Sequence, residues 1–214
     1  MRVTPNPSQS RIISTPQRYY MGLDLGQSKD YTALEILERL PQENGPALFN
    51  GVHMMRFPLG TRYPAIIADV AAMLQEDSLR GQCALVIDAS GVGRPVSDAF
   101  REAGVAHTPV TITGGQEVRT DKGMWYVPKR TLVATLQLLL QNERLKFAPN
   151  PLRDTLVKEL VSFDVKISEA ANDTYEGRSG EHDDLVLAVA LAAWAAEGAR
   201  EVKARCSTVT QTWI

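Results

Sequence analysis

Residues 19–26 read Tyr-Tyr-Met-Gly-Leu-Asp-Leu-Gly, an apolar run that contains one carboxylate and ends in glycine. The run predicts a β-strand that stops at Gly26, because strand-forming residues lead into a turn-forming one. Residues 27–30 are polar, and residues 31–37 predict a second strand. A connection this short cannot hold a crossover, so the two strands should pair as an antiparallel hairpin.

The rest of the chain alternates between the two kinds of element. Strands are predicted over residues 47–57, 83–87 and 108–112, and helices over residues 64–75, 95–103, 129–141, 151–163 and from Asp183 or Asp184 to about Glu197. Residues 114–123 and 172–180 are predicted polar loops. Three strands in a meander followed by alternating helices and strands indicate an α/β chain with a mixed sheet flanked by helices, an order that several folds share.

Composition limits the classes of protein that fit. The chain has 214 residues, 44% of them hydrophobic and 22% charged, and its formal net charge is −2. This size predicts one domain, over residues 18–200, between a flexible N-terminal segment at 1–17 and a flexible tail at 201–214. The net charge excludes a strongly basic nucleic-acid-binding domain but not a local basic surface.

Cysteine count and hydropathy exclude further classes. Two cysteines cannot build a disulfide framework or a cysteine-rich zinc site. The N-terminus lacks the apolar core of a signal peptide, and the most apolar stretch, residues 185–196, is too short to span a bilayer. We therefore expect an intracellular protein that is neither secreted nor bound to a membrane.

Carboxylates interrupt three apolar elements. Asp24 lies inside the first strand, Asp88 ends the strand at residues 83–87, and Asp183 and Asp184 precede the apolar last helix. A charged carboxylate near a core is costly unless it is paired or binds a metal. Each acid also has a plain structural interpretation: Asp24 and Asp88 suit turns, and one of the last two suits a helix N-cap.

Acids from two strands and a helix tip are typical of two-metal phosphodiester hydrolysis. Mg²⁺ and Mn²⁺ prefer oxygen ligands, and two such ions bind the attacking and leaving oxygens. A DNA substrate would also need cations for its phosphates. The candidates near the acids are Lys29, Arg94, Arg119, Lys122, Lys129 and Arg130, with the loop that begins at Gly114 predicted to border the DNA.

Four segments carry a family resemblance. Residues 22–33 resemble the first nuclease motif of bacteriophage terminase large subunits, and residues 86–93 resemble the second. Residues 127–130 resemble the segment before the last acidic motif, and residues 181–185 resemble that motif itself. The four motifs occur in the family's order across residues 19–197.

The resemblance implies an RNase H-like fold and an endonuclease that cuts double-stranded DNA during genome packaging with Mg²⁺ or Mn²⁺, two ions being expected. Asp24, Asp88 and Asp184 match the family's metal-binding acids, and Asp183 matches an adjacent acid that assists. It also implies a phage or prophage protein in the host cytoplasm. The implied partners are DNA, a packaging ATPase domain, a small terminase subunit and a portal.

Two departures from the family stand out. Family members often carry a further Asp three residues after the last catalytic one, where this chain has Leu187. The phosphate loop of the packaging ATPase, Gly-x-x-x-x-Gly-Lys-Ser/Thr, is absent from the sequence. We therefore expect an isolated nuclease domain or a free-standing relative, which could not translocate DNA by itself.

Three other functions stay open. An actin-like or sugar-kinase-like ATPase also uses Asp-x-Gly after its first strand, as at residues 24–26, but needs two such halves. A RuvC-type junction resolvase would use the same metal chemistry on branched DNA. A non-catalytic module would keep the fold only as a binding surface.

Overall fold

The computed structural model describes residues 17–26, 30–90, 93–167, 173–177 and 183–208. The side chains of residues 93–94, 162–167, 173–177 and 199–208 are outside that description.

An eight-stranded mixed sheet forms the centre of the molecule, in the order β6-β7-β5-β4-β1-β2-β3-β8. Its strands are β1 (Tyr19–Asp24), β2 (Ala33–Leu40), β3 (Leu48–Arg56), β4 (Cys83–Asp88), β5 (Thr108–Thr113), β6 (Arg119–Asp121), β7 (Met124–Pro128) and β8 (Leu145–Phe147). The helices are α1 (Tyr63–Leu74), α2 (Gly93–Glu102), α3 (Lys129–Gln141), α4 (Arg153–Ser162) and α5 (Asp184–Thr208), and β9 (Phe163–Ile167) pairs with β10 (Asp173–Gly177).

Strand pairing confirms the predicted fold class. β1, β2 and β3 form the antiparallel meander, whereas β4, β5 and β7 run parallel to β1. The carboxyl ends of β1, β4, β5 and β7 therefore lie at one edge of the sheet. This is the edge at which α/β proteins hold their ligands.

Helices cover both faces of the sheet. One core packs α3, α4 and α5 against Tyr20, Ala33, Leu37 and Val86. On the other face of the sheet, a second core packs α1 and α2 against strand side chains such as Met21 and Leu23. Side chains alternate between faces along a strand, so Asp24 and Asp88 point to the α5 side with Gly22 and Val86.

Gly22 brings α5 directly onto β1. A Cβ at this position would lie 2.0 Å from the backbone oxygen of Ala188. Ala188 is one helical turn after Asp184, and Gly22 is two residues before Asp24, so this contact brings the start of α5 to the carboxyl end of β1. The predicted burial of α5 is confirmed, since every residue from Leu185 to Ala196 is at most 9% exposed.

Several elements differ from the sequence prediction. The polar loop at residues 114–123 contains β6, and the one at residues 172–180 contains β10. β6 is entirely exposed, so no apolar alternation marks it; pairing with β7 through a turn with positive φ at Lys122 and Gly123 makes it a strand. α5 continues past Gly198 to Thr208, because an interior glycine costs a helix only about 1 kcal/mol.

The chain ends bear on the domain prediction. Residues 1–16 and 209–214 lie outside the described residues, whereas residues 201–208 of the predicted flexible tail belong to α5. The division at residues 17 and 200 stays a prediction. Of the helices in the described ranges, none combines the length and apolar character needed to cross a bilayer.

Glu35 is an ionisable side chain inside the core. It lies on β2, is 1% exposed, and neither carboxylate oxygen has a hydrogen-bond partner among the described residues. Gly51 leaves room for it, because a Cβ there would lie 2.5 Å from Oε1 of Glu35. Burial raises the pKa of Glu35 well above its ordinary value.

This raised pKa predicts a pH-dependent cost to folding. Because the pKa of Glu35 is higher in the folded than in the unfolded state, its protonation favours folding. This contribution to stability is complete below the unfolded-state pKa and is lost as the pH rises through the folded-state pKa. We expect Glu35→Gln to be more stable than the wild type at pH 8, with the difference vanishing near pH 4. Urea unfolding at both pH values measures this, with the exposed Glu43→Gln as the control that should show no such difference. Parallel pH profiles for Glu35→Gln and the wild type would contradict the prediction.

Candidate metal centre

Two predicted acids end adjacent strands. β1 and β4 are parallel neighbours in which Leu23 pairs with Ile87, so Asp24 and Asp88 follow at matching positions. Asp88 is 8% exposed, and it accepts hydrogen bonds from the Ser90 hydroxyl at 2.5 Å and the Ser90 backbone N–H at 2.8 Å. The carboxylates of Asp24 and Asp88 lie close enough to shift each other's pKa.

The electrostatics of this pair favour a proton or a cation. Burial raises the pKa of Asp24 well above its usual range, and the carboxylates of Asp88, Asp183 and Asp184 raise it further. Burial also raises the pKa of Asp88, against the opposing effect of its bonds from Ser90. Two buried carboxyl groups this close disfavour two negative charges, so the pair favours either a proton or a divalent cation.

The other two acids lie at the start of α5. Asp184 is its first residue, and Asp183 precedes it and accepts the Leu187 backbone N–H through its carbonyl oxygen at 2.9 Å. The contact between Gly22 and Ala188 brings the helix tip beside the strand ends, and the carboxylates of Asp183 and Asp184 accordingly raise the pKa of Asp24. The structure therefore brings all four predicted acids to the same edge of the sheet.

Two cations hold the α5 acids. Nζ of Lys129 lies 3.0 Å from Oδ2 of Asp183. The Arg56 guanidinium donates to both oxygens of Asp184, from Nε at 2.7 Å and from Nη2 at 2.8 Å. Arg56 on β3 pairs with Ala33 on β2, and Ala33 pairs in turn with Asp24 on β1. The three residues therefore lie in one row across the sheet, which brings Arg56 to the acids.

A fifth carboxylate stabilises the start of α5. Oε2 of Glu159, on α4, accepts the backbone N–H groups of Leu185 at 3.1 Å and Val186 at 3.2 Å. Its Oε1 accepts a hydrogen bond from Nη2 of Arg56. Burial and the nearby Asp184 raise the pKa of Glu159 to about 7, although Arg56 and the two N–H groups oppose the shift.

The donor set suits a hard divalent ion. Carboxylate oxygens are the ligands that Mg²⁺ and Mn²⁺ prefer, and four carboxylates lie at this edge. Within the described residues, no three acidic, histidine or cysteine side chains are already gathered around one point. Asp183 and Asp184 are bound by Lys129 and Arg56 instead, so an ion would have to share their oxygens or displace a cation.

The predicted DNA contacts occupy different places. Lys129 and Arg130 form the first turn of α3, at the same sheet edge as the acids. Arg119 is the residue of β6 nearest this edge, because β6 runs antiparallel to β7; it pairs with Tyr126 in the middle of β7, and its guanidinium lies 4.0 Å from the centre of the Tyr126 ring. Lys122 lies in the β6–β7 turn, at the opposite end of β7.

Other predicted positions cannot be located in the same way. Lys29 and the side chain of Arg94 lie outside the described residues, although the backbone of Arg94 belongs to α2. His182, in the last acidic motif, also lies outside them. Their roles stay predictions.

Sequence reasoning missed Arg56 and Glu159. Both carried a signal, because each is charged at a position where its element predicts an apolar side chain. Glu159 is three residues after the buried Leu156 and next to Leu160, on the apolar stripe of α4. Arg56 follows two methionines at the end of a strand and precedes the buried Phe57.

A cavity lies apart from the acids. Its volume is ≈ 290 Å³, and it lies on the α1 side of the sheet, lined by Tyr19, Ile36, His53 and Glu76 among others. The acids point to the opposite face. This cavity therefore does not supply the acid-lined nucleotide site that an ATPase of the actin-like type would need.

Comparison with known proteins was made by family models and by sequence. No family model matches the chain. The terminase large subunits of Thermus phage G20c and Thermus virus P23-45 are each 24% identical to it over 174 residues.

This chain is similar to the large subunits of phage terminases. The resemblance predicted from the four motifs is thereby confirmed. The aligned residues make up 81% of this chain but 31% of each relative, so it spans about a third of the length of these curated relatives.

Solved structures place the likeness in the nuclease part of those terminases. The large terminase nuclease of the thermophilic phage G20c superposes with a TM-score of 0.59 at 22% identity, covering 82% of this chain and 81% of that one. The structure of the same nuclease with bound magnesium gives 0.58 at 22% identity, covering 83% and 80%. The HK97 large terminase gives 0.55 at 17% identity, covering 86% of this chain and 40% of that one. The fold is thus the RNase H-like fold of terminase nucleases.

Proposed function

We propose that this protein is a metal-dependent endonuclease that cuts double-stranded DNA, as in phage genome packaging. One observation carries the proposal: carboxylates from β1, β4 and the tip of α5 share one edge of an RNase H-like sheet. Their electrostatic coupling, which raises the pKa of Asp24, supports a site for divalent cations. The likeness to the phage G20c terminase nuclease, which has been solved with bound magnesium and with bound cobalt, supports the same chemistry.

In the proposed site, Asp24, Asp88, Asp183 and Asp184 would hold Mg²⁺ or Mn²⁺, two ions being expected. Bound ions of this kind activate a water and stabilise the charge that develops on the phosphate. Asp24, whose pKa is raised by the other three carboxylates, would be one of the residues that hold the metal. Ser90 orients Asp88 by donating two hydrogen bonds to its Oδ1.

The DNA would approach across the carboxyl ends of the parallel strands. Lys129 and Arg130 sit at the N-terminus of α3, where backbone N–H groups also favour a phosphate. Arg119, which stacks on Tyr126, would extend this surface along β6. The loop that begins at Gly114 connects β5 to β6 at the same edge and would border the DNA.

Arg119 and Lys122 form a matched pair for testing this path. Both are exposed cations on the β6–β7 hairpin, but they lie at its two ends. We expect Arg119→Gln to weaken DNA binding and to lower the slope of log K against log salt by about 1, the value for one phosphate contact. Lys122→Gln should change neither quantity. Fluorescence anisotropy with a duplex at several salt concentrations measures both, and equal losses in the two variants would contradict the path.

The proposed context is a terminase. Since the chain spans about a third of its curated relatives, the partners remain part of the proposal: a packaging ATPase domain, a small terminase subunit and a portal, in the cytoplasm of the phage host. Residues 18–200 would make up most of the nuclease domain, after a flexible N-terminal segment, with α5 continuing to Thr208.

Plasmid cleavage tests the proposed function. The protein is incubated with supercoiled plasmid and Mn²⁺, with Mg²⁺, or with EDTA, and we expect nicked and linear products only with a metal. Linear duplex and a four-way junction are compared in parallel. Strong preference for the junction would favour a RuvC-type resolvase, and metal-independent binding without cleavage would favour a non-catalytic module; either result would overturn the proposal.

A further inference from the structure

Arg56 joins four elements beside the acids. From β3 it donates to both oxygens of Asp184 on α5 and to Oε1 of Glu159 on α4. Its guanidinium also lies 4.8 Å from the ring centre of Tyr31, in the segment before β2. The side chain is 15% exposed, so these contacts are largely shielded from water. Shielding makes charge-assisted hydrogen bonds of this kind stronger.

Glu159 is placed to act on the site without binding an ion. One of its oxygens accepts from Arg56 and the other accepts two backbone N–H groups of α5. The first N–H groups of a helix have no partner within it, so these bonds attach the start of α5 to α4. The carboxylate is thus used in holding the neighbours of Asp184.

The two bonds from Arg56 do not by themselves fill the Asp184 carboxylate. A carboxylate has about four lone-pair sites, and the two bonds from Arg56 use one on each oxygen. The parallel pair of bonds fixes the plane of the carboxylate, which a single bond would leave free to rotate.

We infer that Arg56 and Glu159 are positioning residues, which hold the Asp184 carboxylate and the first turn of α5 in the geometry that a divalent ion requires. The inference rests on the proposed function, in which Asp184 is a metal ligand. Groups that hydrogen-bond to metal ligands typically account for a 10–100-fold difference in metal affinity.

Charge-conserving substitutions isolate geometry from electrostatics. Arg56→Lys keeps the positive charge but cannot donate two parallel bonds to Asp184 while also reaching Glu159. Glu159→Asp keeps the negative charge but is one methylene shorter, so it cannot span Arg56 and the α5 backbone. We expect each variant to bind Mn²⁺ about 10–100-fold more weakly by titration calorimetry. The folded state is checked by circular dichroism, because a purely structural role would lower the melting temperature without weakening Mn²⁺ binding to the folded protein.

Arg18→Lys is the matched control. Arg18 also donates two hydrogen bonds to a glutamate, Glu38, at 3.0 and 2.8 Å, and its guanidinium also lies near a tyrosine ring, 5.1 Å from the centre of Tyr19. It lies at the opposite end of β1 from Asp24. Its Mn²⁺ affinity should equal that of the wild type.

The outcomes separate the inference from the proposed function. If the wild type binds Mn²⁺, and folded Arg56→Lys and Glu159→Asp bind it with affinities within threefold of the wild type, the inference alone would be overturned. An equal loss in Arg18→Lys would also overturn it, because the effect would not belong to the site. A wild type that binds no Mn²⁺ would overturn the proposed function and the inference together. If one site variant does not fold, the other decides.

Discussion

Asp24→Asn is expected to abolish metal-dependent cleavage while making the metal-free protein more stable. Asp24 is the acid on which the other three act, and burial and their charges raise its pKa. An amide removes the charge that is costly without a metal, and it also removes a carboxylate that would hold the metal. Loss of a group that only hydrogen-bonds to a metal ligand costs up to about 100-fold. Because Asp24 would itself be a ligand, we expect the cleavage rate to fall at least about 100-fold.

Thermal melts with EDTA and with Mn²⁺ read out both effects in one experiment. An ion at 100 times its dissociation constant stabilises the wild type by about 2.7 kcal/mol. For a protein of this size each kcal/mol raises the melting temperature by about 2–4 °C. Asp24→Asn should melt higher than the wild type in EDTA and should lose the increase with Mn²⁺.

The exposed Asp121, at the far end of the β6–β7 hairpin, supplies the control. Asp121→Asn should match the wild type in cleavage and in both melts. Cleavage by Asp24→Asn at the wild-type rate would place the active site elsewhere or point to a contaminating nuclease. A lower melting temperature in EDTA would mean that Asp24 is stabilising as it stands, against the electrostatic argument.

Gly22→Ala is expected to damage the fold and the site together. The added Cβ would lie 2.0 Å from the Ala188 backbone oxygen and 2.9 Å from the Ala192 nitrogen. Backbone atoms cannot rotate away as a side chain can, so α5 would have to move off β1. Overpacking of a core costs about 1–3 kcal/mol and occasionally more. Because Asp183 and Asp184 lie at the tip of α5, its displacement should also weaken Mn²⁺ binding.

Urea unfolding and Mn²⁺ calorimetry measure the two parts of this prediction. Gly114→Ala is the matched control, since nothing lies within 4 Å of a Cβ at that position, and it should unfold like the wild type. A Gly22→Ala protein with wild-type stability and Mn²⁺ affinity would show that α5 does not rest on β1 as the structure has it.

The elements with strong apolar patterns could be predicted from the sequence. The run at residues 83–87 is β4, the hairpin of β1 and β2 forms as expected, and α3 matches its predicted bounds. Arg119–Asp121 and Leu145–Phe147 could not be predicted as strands. Each is three residues long and is a strand only because a neighbour offers a free edge, which is a property of the assembled sheet.

The motifs shared with terminases were recognised by resemblance, whereas local physics in the chain itself determined the α/β class and the positions at which acids interrupt apolar segments. These follow from hydrophobic periodicity and from the cost of placing a carboxylate near a core. Only the tertiary structure decided which charges accompany the acids. Arg56 is 128 residues from Asp184 and Glu159 is 26 residues from Leu185, and such pairs form because the packing of α5 onto Gly22 brings distant segments to one edge.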